Sequence, residues 1–422
     1  MMTYAEVLEK LKKASLLGSV LGLSRIEKLL EMLDNPQDKL KIIHVSGTNG
    51  KGSFSAILSS VLTEAGYKTG VFSSPSLMTV NDSFRINREI VSDDFFADIM
   101  SDVFEKAEQM PDSPTEFELL TATAFQMFYK AECDICIIEC GLGGDTDSTN
   151  VIKSPVLSVI TNVQLDHCGI LGNTLSEIAR HKSGIIKNNC PVLYGGNRDE
   201  AFEVISKKAD DLNVKLFLTD KTLLSDVNVT INGTEFSFGN YKNLNLSLVG
   251  SYQSENAVNV LTAIEILKKY GFVIADDALC KGFEKTVWQG RFEIVRKNPP
   301  VIFDGAHNPC GMHETVRTVK NCFGEGKTAV LMGVMADKDY NLYADMIRDI
   351  ADTVFTVTPD NSRSLSAVEL ADYFNKNNVN ATAYETFADG LNASLEYVEE
   401  KNIPLIVMGS LYMYREFRLN LK

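Results

Sequence analysis

No run of about eighteen or more apolar residues occurs in this chain of 422 residues, so nothing in it reads as a membrane-spanning helix. The opening stretch MMTYAEVLEKLKKAS is a charged helical pattern and lacks the apolar centre of a secretory signal. Positive charge is short: 41 lysines and arginines stand against 56 aspartates and glutamates, a formal net charge of −15. So acidic a chain has no broad basic patch for nucleic acid or a membrane surface, and any anionic ligand must be held by a few local groups. A disulfide framework is also missing. Cys133, Cys136, Cys140, Cys168, Cys190, Cys280, Cys310 and Cys322 sit mostly inside apolar runs, which fits a reducing cytoplasm. Cys133-x-x-Cys136 with Cys140 has no second cysteine pair or histidine cluster to complete four zinc ligands, and ECDICIIEC reads as a buried strand. There is no internal repeat and no low-complexity segment.

What is present is a 45% hydrophobic chain long enough for two or three domains with sizeable cores. Helical patterns alternate with short apolar strands, the pattern of a mostly parallel sheet covered by helices. Strands are expected at Lys41 to Ser46, Thr69 to Ser73, Asp134 to Glu139, Val156 to Ile160 and Pro191 to Tyr194. A helix is expected from Ser24, with its hydroxyl as cap and Glu27 reaching back. Between Val227 and Phe238 the period changes to two, with Asn232-Gly233 as a hairpin turn. Lys297 to Pro300 (KNPP) breaks the pattern and reads as a linker. A second, smaller α/β series follows, so the expected domains are 1–296 and 297–422.

The ten residues HVSGTNGKGS, His44 to Ser53, join an apolar strand to a helical pattern with apolar residues at Phe54, Ile57, Leu58, Val61 and Leu62. Glycines at such a junction let backbone N–H groups point at an anion, where the helix dipole also favours negative charge. Asn49, Gly50, Lys51, Gly52 and Ser53 are therefore the expected phosphate-binding set, with Lys51 as the mobile positive charge. The strict pattern G-x-x-x-x-G-K-[ST] is not met, since Val45 and Gly52 occupy two of its positions. A plain Gly-rich turn would not need Lys51 beside three glycines.

Glu139 ends an apolar strand and precedes Cys140, Gly141, Leu142, Gly143, Gly144 and Asp145, where an open α/β sheet places its ligand crevice. His167, in Leu165-Asp166-His167 after another apolar strand, is one of only five histidines and suits a neutral imidazole ligand for a divalent ion. Lys182, in the helical segment His181 to Lys187, would on sequence physics alone be a solvent-facing charge.

The form G-T-N-G-K-G-S resembles the ATP loop of the Mur ligase superfamily, in particular its folylpolyglutamate synthase and dihydrofolate synthase branch. GLSR (Gly22 to Arg25), Ser73-Ser74-Pro75, TEFE (Thr115 to Glu118), IECGLGGDTDSTN, LDH, HKSGIIK, WQGRFE, DGAHNP, ADKDY and GSLY follow in family order along nearly the whole chain. The resemblance implies a P-loop-type central Mur ligase domain with a mostly parallel sheet and a smaller Rossmann-like C-terminal α/β domain. It implies two magnesium ions held by Ser74, Glu139, His167 and a carbamylated Lys182. It also implies that Asn256 and Arg291 contact ATP, that Asp304 and His307 of the Asp304-Gly305-Ala306-His307-Asn308-Pro309 element complete the catalytic set with Lys51 and Lys182, and that Leu21, Gly22, Thr115, Glu116 and Phe117 line the pterin pocket. One departure stands out: the family's N-E-R-I-like element is replaced by Asn81-Asp82-Ser83-Phe84, with Ser83 where an arginine is expected and Arg85 and Arg88 nearby.

The activity implied is ATP-dependent ligation of L-glutamate to a pterin carboxylate through an acyl phosphate, by a bifunctional folylpolyglutamate and dihydrofolate synthase. The substrates would be dihydropteroate or a reduced folate, with L-glutamate, in a cytoplasmic monomer. Tail extension alone, a Mur-type ligase acting on another carboxylate, and a P-loop kinase or nucleotide switch are the alternatives. A kinase needs neither a carbamylated lysine nor a second domain carrying DGAHNP.

Overall fold

The structure, a computed structural model, describes residues 2–18, 20 and 22–421 and divides into two compact units. The first comprises Met1–Thr222 and Asn256–Lys285; the second comprises Leu223–Glu255 and Thr286–Lys422. Leu21 lies outside the described residues.

The first unit is built on an eight-stranded sheet whose strands are β1 (Ile42–Ser46), β2 (Thr69–Phe72), β3 (Phe84–Ile86), β4 (Glu89–Ile90), β5 (Ile135–Glu139), β6 (Leu157–Ile160), β7 (Val192–Tyr194) and β8 (Leu216–Leu218), in the order β4-β3-β2-β5-β1-β6-β7-β8. Strands β2, β5, β1, β6, β7 and β8 run parallel; β3 and β4 are antiparallel at one edge. Every residue of β1, β5 and β6 is buried, as expected of parallel strands covered by helices on both faces. This arrangement brings the carboxyl ends of β2, β5, β1 and β6 to one edge. The expected strands are present, each within a residue or two of its expected limits.

The helix Lys51–Glu64 packs against Asp276–Glu284, and the contact depends on Gly282. A Cβ at Gly282 would stand 2.5 Å from Val61 Cα and 2.7 Å from Val61 N, while Ser60 Oγ donates to Gly282 O at 2.7 Å. Only glycine permits that approach, because backbone atoms on the opposite helix cannot yield as a flexible side chain can.

The second unit carries a three-stranded antiparallel ribbon, β9 (Leu224–Thr230), β10 (Gly233–Phe238) and β11 (Tyr241–Leu246). Its larger sheet is made of β12 (Glu293–Lys297), β13 (Pro300–Asp304), β14 (Thr328–Met332), β15 (Ala351–Thr356), β16 (Ala381–Ala383) and β17 (Leu405–Met408), in the order β12-β13-β17-β14-β15-β16. All its pairs are parallel except β12 with β13.

Three expectations are corrected. The Lys297 to Pro300 segment is the turn of the β12–β13 hairpin, with Lys297 paired to Pro300, so the chain break signalled by two prolines is a reversal inside the second unit. The ribbon also groups with that unit, although it precedes Lys285 in sequence. At the helix Ser24–Met32 the cap position belongs to Leu23, already in right-handed helical conformation, and no side-chain cap forms.

Two predictions follow from this packing. Gly282→Val should lower the stability of the first unit by about 1–3 kcal/mol, read as an earlier urea midpoint, because the added methyls meet backbone. His44, fully buried in β1, has its imidazole pushed down to about 3 by burial, with the charge of Lys187 adding to the effect. The unfolded chain therefore binds a proton below about pH 6.5 that the folded chain refuses until near pH 3. Stability should be full above pH 6.5 and fall as pH drops through that window, with His44 contributing a slope of at most about 1.4 kcal/mol per pH unit. Replacement by Gln should flatten this acid limb in pH-dependent denaturation.

Candidate active site

Three loops leave the carboxyl ends of neighbouring strands and enclose one polar cavity in the first unit. Gly47, Thr48 and Lys51 come from the loop after β1, Cys140 to Gly143 from the loop after β5, and Asp166 and His167 from the loop after β6; Lys182 and Leu171 complete the lining. Three of the expected residues, Lys51, His167 and Lys182, thus share one space. Glu139 lies beside it, 4% exposed, with Oε1 3.9 Å from Lys51 Nζ.

Gly50 is the N-cap of helix Lys51–Glu64 with φ +81°, a left-handed conformation that suits glycine. A Cβ there would meet Asn256 Oδ1 at 2.3 Å, so the asparagine expected to contact ATP stands directly against this loop. Asn49 is held on both sides: its N–H donates to Asn162 Oδ1 at 2.9 Å and its side-chain amide to Gln164 Oε1 at 2.6 Å. Lys51 Nζ donates to Gly47 O at 3.1 Å, folding the lysine back over its own loop. Gly52 and Ser53 occupy the first turn, with Ser53 buried.

Lys182 sits in the last turn of helix Leu175–Ser183 and is only 4% exposed, against the solvent-facing position that its sequence alone suggests. Burial pushes its ammonium down to about 7, and the charge of Lys51 adds to that; Cys140, Asp166 and Asp147 partly oppose it. Its neutral, nucleophilic form is therefore far easier to reach than that of a solvated lysine.

His167 has φ +52° and caps the short helix Cys168–Leu171; its Nε2 is 4.0 Å from Asp166 Oδ2. Ser74 follows β2, whose Phe72 pairs with Ile138 of β5, so Ser74 and Glu139 leave adjacent parallel strands at the same edge. Phe117 lies against the β5 loop: a Cβ at Gly141 would be 2.7 Å from its Cζ. Thr115 is the N-cap of helix Glu116–Lys130 in a reciprocal box with Glu118, which also pairs with Arg25 at 3.1 Å. Glu116 is half-buried, and desolvation raises its carboxyl above the usual range. Gly22 has φ +116°, and Arg25 Nη2 donates to Val20 O at 3.0 Å, tying this loop to the same helix end.

The altered Asn81 to Phe84 element is internally locked. Asp82 Oδ2 accepts from the N–H groups of Leu77, Met78 and Thr79, and Asn81 Nδ2 donates to Asp93 Oδ1 at 2.8 Å. Arg88 pairs with Glu64 at 2.9 Å and donates to Ser60 Oγ at 3.3 Å.

Arg291, Asp304 and His307 belong to the second unit. Asp304 ends β13, fully buried; burial raises its carboxyl, opposed by Arg291 and by N–H donors that include Ala306 N at 2.9 Å. Arg291 lies against the same turn, since a Cβ at Gly305 would be 2.7 Å from its Nη1. His307 Nδ1 is 2.8 Å from Gly305 O, so Nδ1 carries the proton. Tyr252 Oη lies 3.5 Å from Asp304 Oδ2 and was not singled out by its sequence. Asp166 was missed as well, although its place beside His167 was the available signal.

A divalent cation fits the donors at the β2, β5 and β6 ends. The Glu139 carboxylate there is nearly buried, and magnesium is commonly held by one or two carboxylates while phosphates and water supply its other oxygens. Among the described residues no group of three or more His, Cys, Asp or Glu side chains converges as a cage, nor is any helix long and apolar enough to cross a membrane.

Comparison with known proteins agrees with this geometry. Residues 45–264 match the Mur ligase middle domain and residues 290–411 the Mur ligase glutamate ligase domain. The chain is 34% identical to the dihydrofolate synthase/folylpolyglutamate synthase of Bacillus subtilis, over 95% of each chain. It is 32% identical to the folylpolyglutamate synthase of Lacticaseibacillus casei, covering 100% of this chain and 99% of the other. The apo structure of the L. casei enzyme superposes with a TM-score of 0.86 at 30% identity over 100% of both chains. E. coli FolC in complex with DHPP and ADP gives 0.85 at 26% identity over 99% of this chain and 98% of that one. With its two matched domains in order and its phosphate loop, β5 loop and buried lysine around one cavity, the chain belongs to the folylpolyglutamate synthase/dihydrofolate synthase family of the Mur ligase superfamily.

Proposed function

We propose that this protein joins L-glutamate to dihydropteroate and to reduced folates at the expense of ATP, acting as both dihydrofolate synthase and folylpolyglutamate synthase. The observation that carries the reading is the burial of Lys182 in the cavity that holds Lys51 and the β5 loop. A kinase or nucleotide switch does not require a second, desolvated lysine there.

The substrate carboxylate attacks the γ-phosphorus of ATP, the bond to the bridging oxygen breaks, and ADP leaves. The neutral glutamate amine then attacks the acyl carbon of the acyl phosphate, inorganic phosphate departs with the electron pair, and the nitrogen loses a proton to solvent. Oxide is a poor leaving group from a carboxylate and phosphate a good one, which is why ATP is consumed. Lys51 and the amides of Gly50 to Ser53 bind the phosphates and offset the repulsion between two anions brought into line. Asn256, whose Oδ1 stands against Gly50, is the proposed nucleotide contact on that side. The neutral amine of Lys182 adds to carbon dioxide, forming an N–C bond and losing a proton, and the carbamate so made is an anionic ligand. Ser74, Glu139, His167 and that carbamate would hold two magnesium ions, whose charge would stabilise the transferring phosphoryl group.

Gly22, Glu116 and Phe117 are the proposed pterin contacts; Thr115 and Glu118 hold their helix end. Arg291, Asp304 and His307 keep the nucleotide-side roles that the family pattern gives them. The eight free cysteines support a reducing cytoplasm as the site of action, and a monomer suffices for the reaction. Tail extension alone is the second reading, favoured by the locked Asn81 to Phe84 element and by the engagement of Arg88 with Glu64.

Product mass after incubation with ATP, magnesium and L-glutamate decides between them. A gain of one glutamyl unit on both dihydropteroate and tetrahydrofolate is expected; a gain on tetrahydrofolate alone assigns tail extension, and no gain on either removes the folate reading. Lys182→Ala should lose turnover by at least about 100-fold while nucleotide affinity stays within about threefold, measured by calorimetry with ADP. Near-normal turnover in that variant removes the carbamate.

A further inference from the structure

One buried titratable side chain takes no part in the scheme above. His44 Nε2, in β1 just before the phosphate loop, lies 2.9 Å from Thr149 Oγ1 and 3.2 Å from Cys140 Sγ. Thr149 Oγ1 in turn lies 2.5 Å from Asp147 Oδ1. A hydroxyl has one proton to give, and the carboxylate takes it, so the oxygen accepts from the imidazole and Nε2 is the protonated nitrogen. The carboxylate also accepts from Thr149 N at 3.0 Å and, through Oδ2, from Leu142 N at 2.8 Å. The segment from Cys140 to Asp147 is thereby closed on itself around one buried carboxylate.

The same loop is what Lys182 rests on. A Cβ at Gly144 would be 2.7 Å from His181 O and 2.9 Å from Lys182 O, and Asp145 N donates to His181 O at 2.9 Å. Ser46 Oγ, at the end of β1, donates to Gly143 O at 2.5 Å. Any shift of Asp147 therefore moves the backbone that seats Lys182 and the residues that follow Glu139.

We propose that His44, Thr149 and Asp147 form a positioning relay that fixes the Cys140–Asp147 loop from β1 and so sets Glu139 and Lys182 against Lys51. The inference rests on the reading that Glu139 and Lys182 serve the phosphate side of the reaction. The three residues touch no substrate; they hold groups that do. Rigid placement matters because a small displacement of a charge-stabilising group costs turnover more than it costs ground-state binding.

The test is steady-state kinetics and thermal unfolding of Thr149→Val, Thr149→Ser, His44→Phe, His44→Gln and the double variant His44→Phe/Thr149→Val, with Lys182→Ala alongside. Thr149→Val should lower kcat by about 10- to 100-fold with KM for ATP within about threefold of the wild type. Thr149→Ser, which keeps the hydroxyl, and His44→Gln, which keeps an N–H near the Nε2 position, should recover most of that kcat. The double variant should lose little more than the worse single one, as two links of one chain must. Normal kcat in a folded Thr149→Val, equal losses in Thr149→Ser and Thr149→Val, or additive losses in the double variant overturn the relay while leaving the role of Lys182 intact. If Thr149→Val does not fold, the comparison of His44→Gln with His44→Phe decides on the same criteria. Normal turnover in Lys182→Ala overturns the reading of the site and the relay with it.

Discussion

A lysine amine held away from water beside a second lysine is the constraint around which the first unit is organised. Lys182 and Lys51 face one cavity in a protein of net charge −15. Burial disfavours the charged form of Lys182 and the nearby charge of Lys51 adds to that, so its ammonium is held well below the usual lysine range. Acidic residues elsewhere on the chain do nothing for this balance, because surface charges are screened over distances of about 10 Å. What matters is local: Asp147 and Asp166 lean the amine back toward its charged form, and Glu139 answers Lys51. The cavity therefore offers an arriving polyanion the charge of Lys51, while Lys182 stands close to its neutral form.

The scaffold that maintains this balance is mostly backbone. Parallel strands buried on both faces cannot shift register without exposing apolar side chains, so the strand ends are fixed points. Glycines at 50, 141 and 144 then let Asn256, Phe117 and the Lys182 helix approach those ends more closely than any side chain allows. Asp304 does similar work in the second unit, holding Ala306 and the turn that carries His307.

The strands and the phosphate loop were legible in the sequence because each is a local pattern: an apolar run of five or six residues, then glycines, then a helical repeat. The burial of Lys182 was not legible, since nothing in HKSGIIK distinguishes a lysine under a loop from one in water. The relay through His44, Thr149 and Asp147 was equally hidden, its members lying 105 residues apart in sequence for the first hydrogen bond. Ser24 carried a plausible capping pattern, but Leu23 had already entered helical conformation, leaving the hydroxyl inside the first turn. Two prolines after Lys297 look the same in a linker and in a tight hairpin; only the pairing of Glu293 with Phe303 tells them apart. β11 was missed because its alternation, YKNLNL, buries only two of six positions. The interleaving of the units could not be read at all, because it depends on which surface the ribbon covers.

That interleaving constrains the order in which the protein can be made. The helix Asp276–Glu284, seated against Val61 through Gly282, is translated after the ribbon that belongs to the other unit. The large sheet of the first unit is therefore fully synthesised by Leu218 but must wait some sixty residues for its last covering helix, at about 5–20 residues per second of elongation. During that interval the face of helix Lys51–Glu64 beneath Gly282 lacks its covering helix, and β9 to β11 precede the rest of the unit they belong to.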